Sequence, residues 1–226
     1  MKALKTLLTT SIISAALLAP ASSFAADAVA VNIVKGMASV EVMHNGKKVS
    51  IMRNQDQKNT VNPAFAKTSR KCPPFCIQPM QVVPGVETVG ELEVLGYLKR
   101  ISGGDRTLVV IDSRTPDWVG RGTIPGSTNI PWNKINVDVE GSFELEAEAD
   151  SLSDILVDQF GARLIDGKWD FRNAKTLVLF CNGIWCPQSS INIKTLTKLG
   201  YPTYKLKWYR GGMQDWVSVG LTTVMK

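Results

Sequence analysis

Two apolar runs limit what this chain can fold into: "TLVVID" at Thr107 to Asp112 and "TLVLF" at Thr176 to Phe180. Both are short and almost continuous in Leu, Val, Ile and Phe, without the alternation of a strand that has one wet face. Such runs read as strands buried on both sides, which requires helices above and below a parallel sheet. The intervening segments agree. A capping-box spacing at Thr88 and Glu91 predicts a short helix through Leu92, Leu95 and Leu98 that ends at Gly103-Gly104. A second helix is expected in "SLSDILVDQFGARLI", where Leu152, Ile155, Leu156 and Phe160 share a face, and a third through Ile193, Leu196 and Leu199, stopping at Gly200. "STNIPW" and "YKLKWY" supply further strands, so the main unit is an α/β domain with right-handed crossovers.

The N-terminus reads differently. Lys2 and Lys5 precede an apolar run from Leu7 to Leu18, and small residues surround "SSFA" at Ser22 to Ala25. This is the pattern of a secretory signal cleaved after Ala25. The run is shorter than the roughly 20 residues of a spanning helix, so a periplasmic or secreted chain with no membrane span is expected after cleavage. Loss of the two lysines lowers the formal charge from +6 to +4. No long basic run remains, which argues against nucleic acid as the main partner and still favours a small anion.

Next, "ASVEVMHNGKKVSIMRN" alternates on both sides of Asn45-Gly46 and predicts a β-hairpin. The aperiodic, proline-containing "QDQKNTVNPAFAKTSRKCPPFCIQPM" predicts a linker lying on the main domain. The expected organisation is a signal at 1–25, a hairpin extension with a cysteine-containing linker at 26–81, and the main domain at 82–226.

The four cysteines form two close pairs, Cys72 with Cys76 and Cys181 with Cys186. Export would place them where disulfides form. A Cys72–Cys76 disulfide would stiffen the linker. Other readings are exchange of that pair with Cys181 or Cys186, or soft-metal binding through Cys72, Cys76 and Met80. A four-cysteine metal site fits the spacings poorly, and neither pair has thioredoxin or haem-attachment spacing. No metal or other cofactor is expected.

Cys181 lies at the carboxyl end of a buried strand, where open α/β sheets bind ligands. The loop Cys181, Asn182, Gly183, Ile184, Trp185 and Cys186 leads into Pro187, a residue suited to the first turn of a helix. Gly183 is expected to let successive amides turn inward into an anion-binding cup, and the helix end adds positive potential. Those surroundings lower a thiol's pKa and make Cys181 a nucleophile without an acid–base partner. The single histidine, His44, lies in the predicted hairpin and reads as a half-exposed strand residue rather than part of a dyad, triad or zinc site.

Four segments in order then carry a family resemblance. "VVIDSR" at Val109 to Arg114, "GTIPGSTNIPW" at Gly122 to Trp132, "TLVLFCNGIWC" at Thr176 to Cys186 and "WYRGGMQDWVSVGL" at Trp208 to Leu221 resemble the elements of a rhodanese, or sulfurtransferase, domain. The resemblance covers about Val86 to Leu221. It implies a central five-stranded parallel sheet flanked by helices, with Cys181 as the cysteine that takes sulfane sulfur as a persulfide and passes it on. The loop amides of Asn182 to Cys186 would hold the terminal sulfur. The implied partners are a small sulfur-donor anion or polysulfide and a thiol acceptor or redox protein.

Two residues depart from that pattern. Cys186 stands where common members carry a basic residue, and Thr123 replaces a histidine, read as a packing change. A Cys181–Cys186 disulfide would turn sulfur transfer into thiol–disulfide chemistry, and a non-catalytic module that binds a partner or soft metal is a third reading. Asp112 and Arg114 read as a structural ion pair or substrate contacts, Arg210 as a replacement cation or a solvated loop residue, Trp185 as a pocket wall, partner contact or packing, and Trp216 as core. The "RGGM" glycines do not make a phosphate loop.

Overall fold

The computed structural model describes residues 31–136 and 151–225. Residues 1–30, which include the signal expected at 1–25, lie outside them, as do residues 137–150 and 226. The centre is a five-stranded parallel sheet in the order β3 (Glu87–Thr88), β9 (Leu206–Tyr209), β8 (Thr176–Phe180), β4 (Leu108–Asp112) and β5 (Thr128–Asn129). Successive strand side chains point to opposite faces, so one run feeds two cores. Leu177 and Leu179 join Ile111, Leu206 and Trp208 on one face. Val178 and Phe180 join Val110 and Tyr209 on the other. All four residues Leu177 to Phe180 are fully buried, the burial their apolar run predicts.

Helix α1 (Glu91–Ser102) begins two residues later than the Thr88 cap predicts. Thr88 is held extended in β3 and its hydroxyl donates to the Met80 carbonyl, so it is not available as a cap. The box shifts to Gly90, whose amide donates to Glu93 Oε2 at 2.9 Å. Val94, Leu95 and Leu98 form the buried stripe, while Leu92 faces solvent. A short helix α2 (Pro116–Val119) follows β4. Its Thr115-Pro116 opening is a helix-start signal, with proline at the first helical position.

The segment after Leu152 also departs from a single helix. A π-helical stretch spans Ile155–Gln159, with Leu156 and Phe160 buried, and Gly161 at φ 73° turns the chain out. Arg163–Ile165 (β6) and Lys168–Asp170 (β7) then form a hairpin around Asp166-Gly167. Asp166 at φ 49° and Gly167 at φ 72° give the positive-φ pair of a type I′ turn.

Asn45 at φ 48° and Gly46 at φ 76° make the same turn in the predicted N-terminal hairpin, β1 (Ser39–His44) and β2 (Lys47–Met52). Val40, Val42 and Ile51 on its inner side pack into the second core beside Val94, Leu98 and Trp216. Helix α3 (Gln188–Lys198) follows the cysteine loop, and α4 (Gly212–Ser218) follows β9. Among the described residues no helix is long and apolar enough to cross a membrane.

Candidate active site

Strand β8 delivers Cys181 to the sheet's carboxyl edge, and α3 begins seven residues later. Between them the loop is wrapped tightly around two sulfurs. Cys181 is 2% exposed, Cys186 1% and Trp185 7%, and both thiols are free. Ser189 Oγ donates to Cys181 Sγ at 3.4 Å, and the amides of Gly183 and Ser189 also serve that sulfur. In its protonated form Cys181 donates to the Cys186 carbonyl at 3.2 Å.

The cup is therefore narrower than the sequence suggests. The Cys186 amide is turned away, donating to the Gly183 carbonyl at 2.9 Å. The amides of Asn182 and Gln188 serve the Cys186 sulfur. Two sulfurs share the ring of donors because Cys186 occupies the space inside it. Gly183 keeps an ordinary negative φ, so left-handed geometry is not its purpose. A Cβ there would meet Gln214 Oε1 at 2.6 Å, and that oxygen is held by Trp185 Nε1. Gly212 is needed more strictly: at φ 57° its Cβ would lie 2.3 Å from the Cys181 carbonyl oxygen. Its close approach lets the Met213 and Gln214 amides bind the Cys181 and Asn182 carbonyls at 3.0 Å each.

The electrostatics separate the two thiols. Burial pushes Cys181 up, but hydrogen bonds from the Cys186 thiol, the Ser189 hydroxyl, and the Ser189 and Gly183 amides pull it down to about 7. Donors to a charged acceptor contribute about 1.5–3 kcal/mol each, so a few of them outweigh burial of one thiolate. For Cys186, burial and the neighbouring Cys181 sulfur act in the same direction and hold its thiol well above the ordinary range. The pair is one ready nucleophile beside one persistent thiol.

Asp112 and Arg114 sit beneath the loop, both fully buried. Arg114 grips Asp112 through Nε at 2.9 Å and Nη2 at 2.6 Å, and also reaches the Gly122 carbonyl at 2.8 Å. Its Nη1 lies 3.4 Å from Asn182 Oδ1, the pair's one link to the loop. Thr123 is more than packing, since its hydroxyl donates to Asp112 Oδ2 at 2.6 Å. Trp216 lies in the core. His44 is remote, its Nδ1 accepting from the Gly126 amide at 3.1 Å.

The linker crosses the loop as a strap. The Gln78 amide donates to the Ile184 carbonyl at 2.8 Å, and Ser190 Oγ to Gln78 Oε1 at 3.1 Å. Gln214 Nε2 binds the Phe65 and Lys67 carbonyls at 3.0 Å each. Phe75 meets Trp185 edge-on, ring centroids 5.7 Å apart. Cys72 and Cys76 are joined as a disulfide in this strap, which leaves no thiolate there for a soft metal. Arg210 does not present a free cation to the sulfurs. Its Nη2 donates to the Gln78 carbonyl at 2.7 Å and its Nε reaches the Gln78 and Pro79 carbonyls at 3.2 Å each. Arg210→Ala is thus expected to loosen the strap and speed alkylation of Cys181 by iodoacetamide about tenfold, the scale of one or two charge-assisted hydrogen bonds, as read by mass spectrometry.

Ser189, Gln78, Gln214 and Arg70, whose guanidinium stacks on Trp185 3.7 Å from the ring centroid, are the site residues that sequence reasoning missed. Ser189 had a signal, being in the first turn of the helix that follows the loop. The other three come from distant, aperiodic or surface positions that only the fold brings near.

Several solved structures are similar at low identity. An uncharacterised protein from Saccharomyces cerevisiae shares 25% identity, with 60% of this chain and 93% of that one covered and a TM-score of 0.37. A 3-mercaptopyruvate sulfotransferase from Escherichia coli shares 22%, over 56% of this chain and 40% of that one, TM-score 0.35. A human single-domain sulfurtransferase shares 18%, over 58% and 96%, TM-score 0.33. No curated protein matched. The match that decides the matter spans residues 95–219, more than half of the chain and the whole cysteine loop, and by it the chain belongs to the rhodanese-like domain family.

Proposed function

We propose that this protein is an exported sulfurtransferase that carries sulfane sulfur as a persulfide on Cys181. The observation that carries this reading is the donor set around one sulfur: Ser189 Oγ and the Gly183 and Ser189 amides, with the thiol brought down to about 7. At neutral pH much of Cys181 is thiolate. It attacks the outer sulfur of an anionic donor, the donor's sulfur–sulfur bond breaks, and the leaving group departs with the electron pair. The new persulfide bears its charge on the terminal sulfur. A thiophilic acceptor such as a thiolate then takes that sulfur and returns Cys181 to its starting state. Small sulfur-donor anions or polysulfides suit the first step, and a thiol or redox protein suits the second.

One observation favours a second reading. The Cys186 thiol, which donates to Gln188 Oε1 at 3.5 Å, lies in the same loop and is among the groups that lower the Cys181 thiol, so attack of Cys186 on the inner sulfur would expel hydrosulfide and leave a Cys181–Cys186 disulfide. The high proton affinity of Cys186 makes it a weak nucleophile at neutral pH, which gives preference to sulfur transfer.

The pH profile tests the assignment. Persulfide formation on the intact protein should rise about tenfold per pH unit below 7 and level off above it, because only the thiolate reacts. Ser189→Ala should slow the reaction at pH 6 by about tenfold by removing one donor to the charged sulfur. A rate flat from pH 5 to 9 contradicts the reading. Export is part of the proposal, supported by the basic, apolar and small-residue order of the first 25 residues. Its test is the mature N-terminus, expected at Ala26; an intact Met1 in the exported fraction contradicts it.

A further inference from the structure

The strap brings one more charged group to the loop. The Arg70 guanidinium lies over the Trp185 ring, 3.7 Å from its centroid, and 5.8 Å from that of Trp118. Arg121 covers Trp118 at 4.4 Å, so a second cation flanks the same aromatic pair. Stacking uses only the face of a guanidinium; its N–H groups lie in the plane and remain to be satisfied.

One of them has no protein partner among the described residues. Arg70 Nε is buried without a hydrogen-bond partner, and among the described residues no carboxylate forms an ion pair with Arg70. Of the arginines that touch the loop or the strap, Arg114 is committed to Asp112 and Arg210 to strap carbonyls. The loop itself, Asn182 to Gln188, contains no basic residue. A buried donor left unpaired costs free energy that a bound acceptor recovers, and a planar fork fits two oxygens of one anion. Stacking on Trp185, the residue next to Cys186, places the guanidinium at the rim of the loop that holds the thiol pair.

We propose that Arg70, contributed by the N-terminal strap from outside the family-matched segment, is the residue that recognises the anionic end of the sulfur donor and holds it at the rim of the Cys181 loop. The inference rests on the sulfurtransferase reading for its ligand class and on the Trp118–Arg70–Trp185 geometry for its site. It divides the chemistry between two parts of the chain: the loop supplies the nucleophile, and the strap supplies donor selectivity.

Two isosteric reagents separate recognition from reactivity. Iodoacetate is anionic and iodoacetamide neutral, and both alkylate the Cys181 thiolate with loss of iodide. In the full chain, Arg70→Gln is expected to lower kcat/KM for thiosulfate about 10- to 100-fold, mainly through KM, the scale of lost hydrogen bonds to a charged group. It should lower the iodoacetate-to-iodoacetamide rate ratio by a similar factor and change the iodoacetamide rate less than about threefold. Arg70→Lys should restore part of the ratio, since it keeps the charge without the fork. Equal changes with both reagents would overturn the inference, because they would mean that Arg70 only shapes or ionises the thiol. An unchanged thiosulfate KM would overturn it too. If the wild-type chain takes no sulfur from any donor yet keeps an Arg70-dependent preference for iodoacetate, the anion site stands and the sulfur-transfer reading fails.

Discussion

Cys181→Ser is expected to fold normally, take up no sulfane sulfur, and lose at least about a thousandfold in transfer from thiosulfate or polysulfide to a thiol acceptor. Nothing else described at the site can replace this nucleophile. Cys186 is the only other free thiol, and burial beside a second sulfur keeps it protonated. Serine at 181 presents a hydroxyl to the same donors, but the hydrogen bonds that bring a thiol down to about 7 leave an alcohol far from ionised. Cys186→Ser should retain the sulfur adduct and shift the reactivity of Cys181 only modestly, because a hydroxyl still donates to the charged sulfur. If the two substitutions are equally damaging, Cys186 takes part in the chemistry and the dithiol reading gains.

The second large effect is on stability. Asp112→Ala is expected to cost about 3–5 kcal/mol, because it leaves the Arg114 charge buried without its carboxylate. The loss extends past the ion pair: Asp112 also accepts from the Thr123 hydroxyl and the Arg114 amide. Replacing both partners, Asp112→Ala with Arg114→Met, should recover much of that loss, since no lone charge is then left inside. Urea denaturation of the single and double variants measures both. A double variant no more stable than the single one would mean that Arg114 matters through its contacts with Gly122 and Asn182 more than through its charge.

These effects differ in how visible they were beforehand. The sheet was legible because Leu177 to Phe180 and Val109 to Ile111 are too apolar to face water on either side, and such runs have few other places to go. The hairpin was legible from Asn45-Gly46, whose backbone conformations few other pairs adopt. Asp166-Gly167 carries the same signal, masked by a helical periodicity that runs on through Ile165 in the sequence, whereas Gly161 ends the helix in the structure. Cys181 could be placed at the end of its strand from local pattern alone. Its surroundings could not, because they depend on contacts between residues more than a hundred positions apart, such as Gln78 with Ser190 and Arg210 with Gln78.

The strap is the clearest case. An aperiodic segment shows no amphipathic face, so its path over the loop is set by backbone carbonyls finding donors on Gln214 and Arg210, which the linker's own sequence does not encode. The narrowing of the amide cup is local by contrast: it is set within Cys181 to Ser189 and turns on which sulfur each amide faces, which residue order alone does not state. Once Cys186 fills part of the loop, half of the amides serve it, and only Gly183 and Ser189 remain for Cys181.

The most direct measurement is the intact mass of the reduced protein before and after brief exposure to inorganic polysulfide, followed by peptide mapping of the loop. The expected result is a gain of about 32 Da located on Cys181, discharged by added thiol, absent in Cys181→Ser and present in Cys186→Ser. A chain that gains no mass, and whose loop is instead recovered as a reducible Cys181–Cys186 disulfide, would contradict the account.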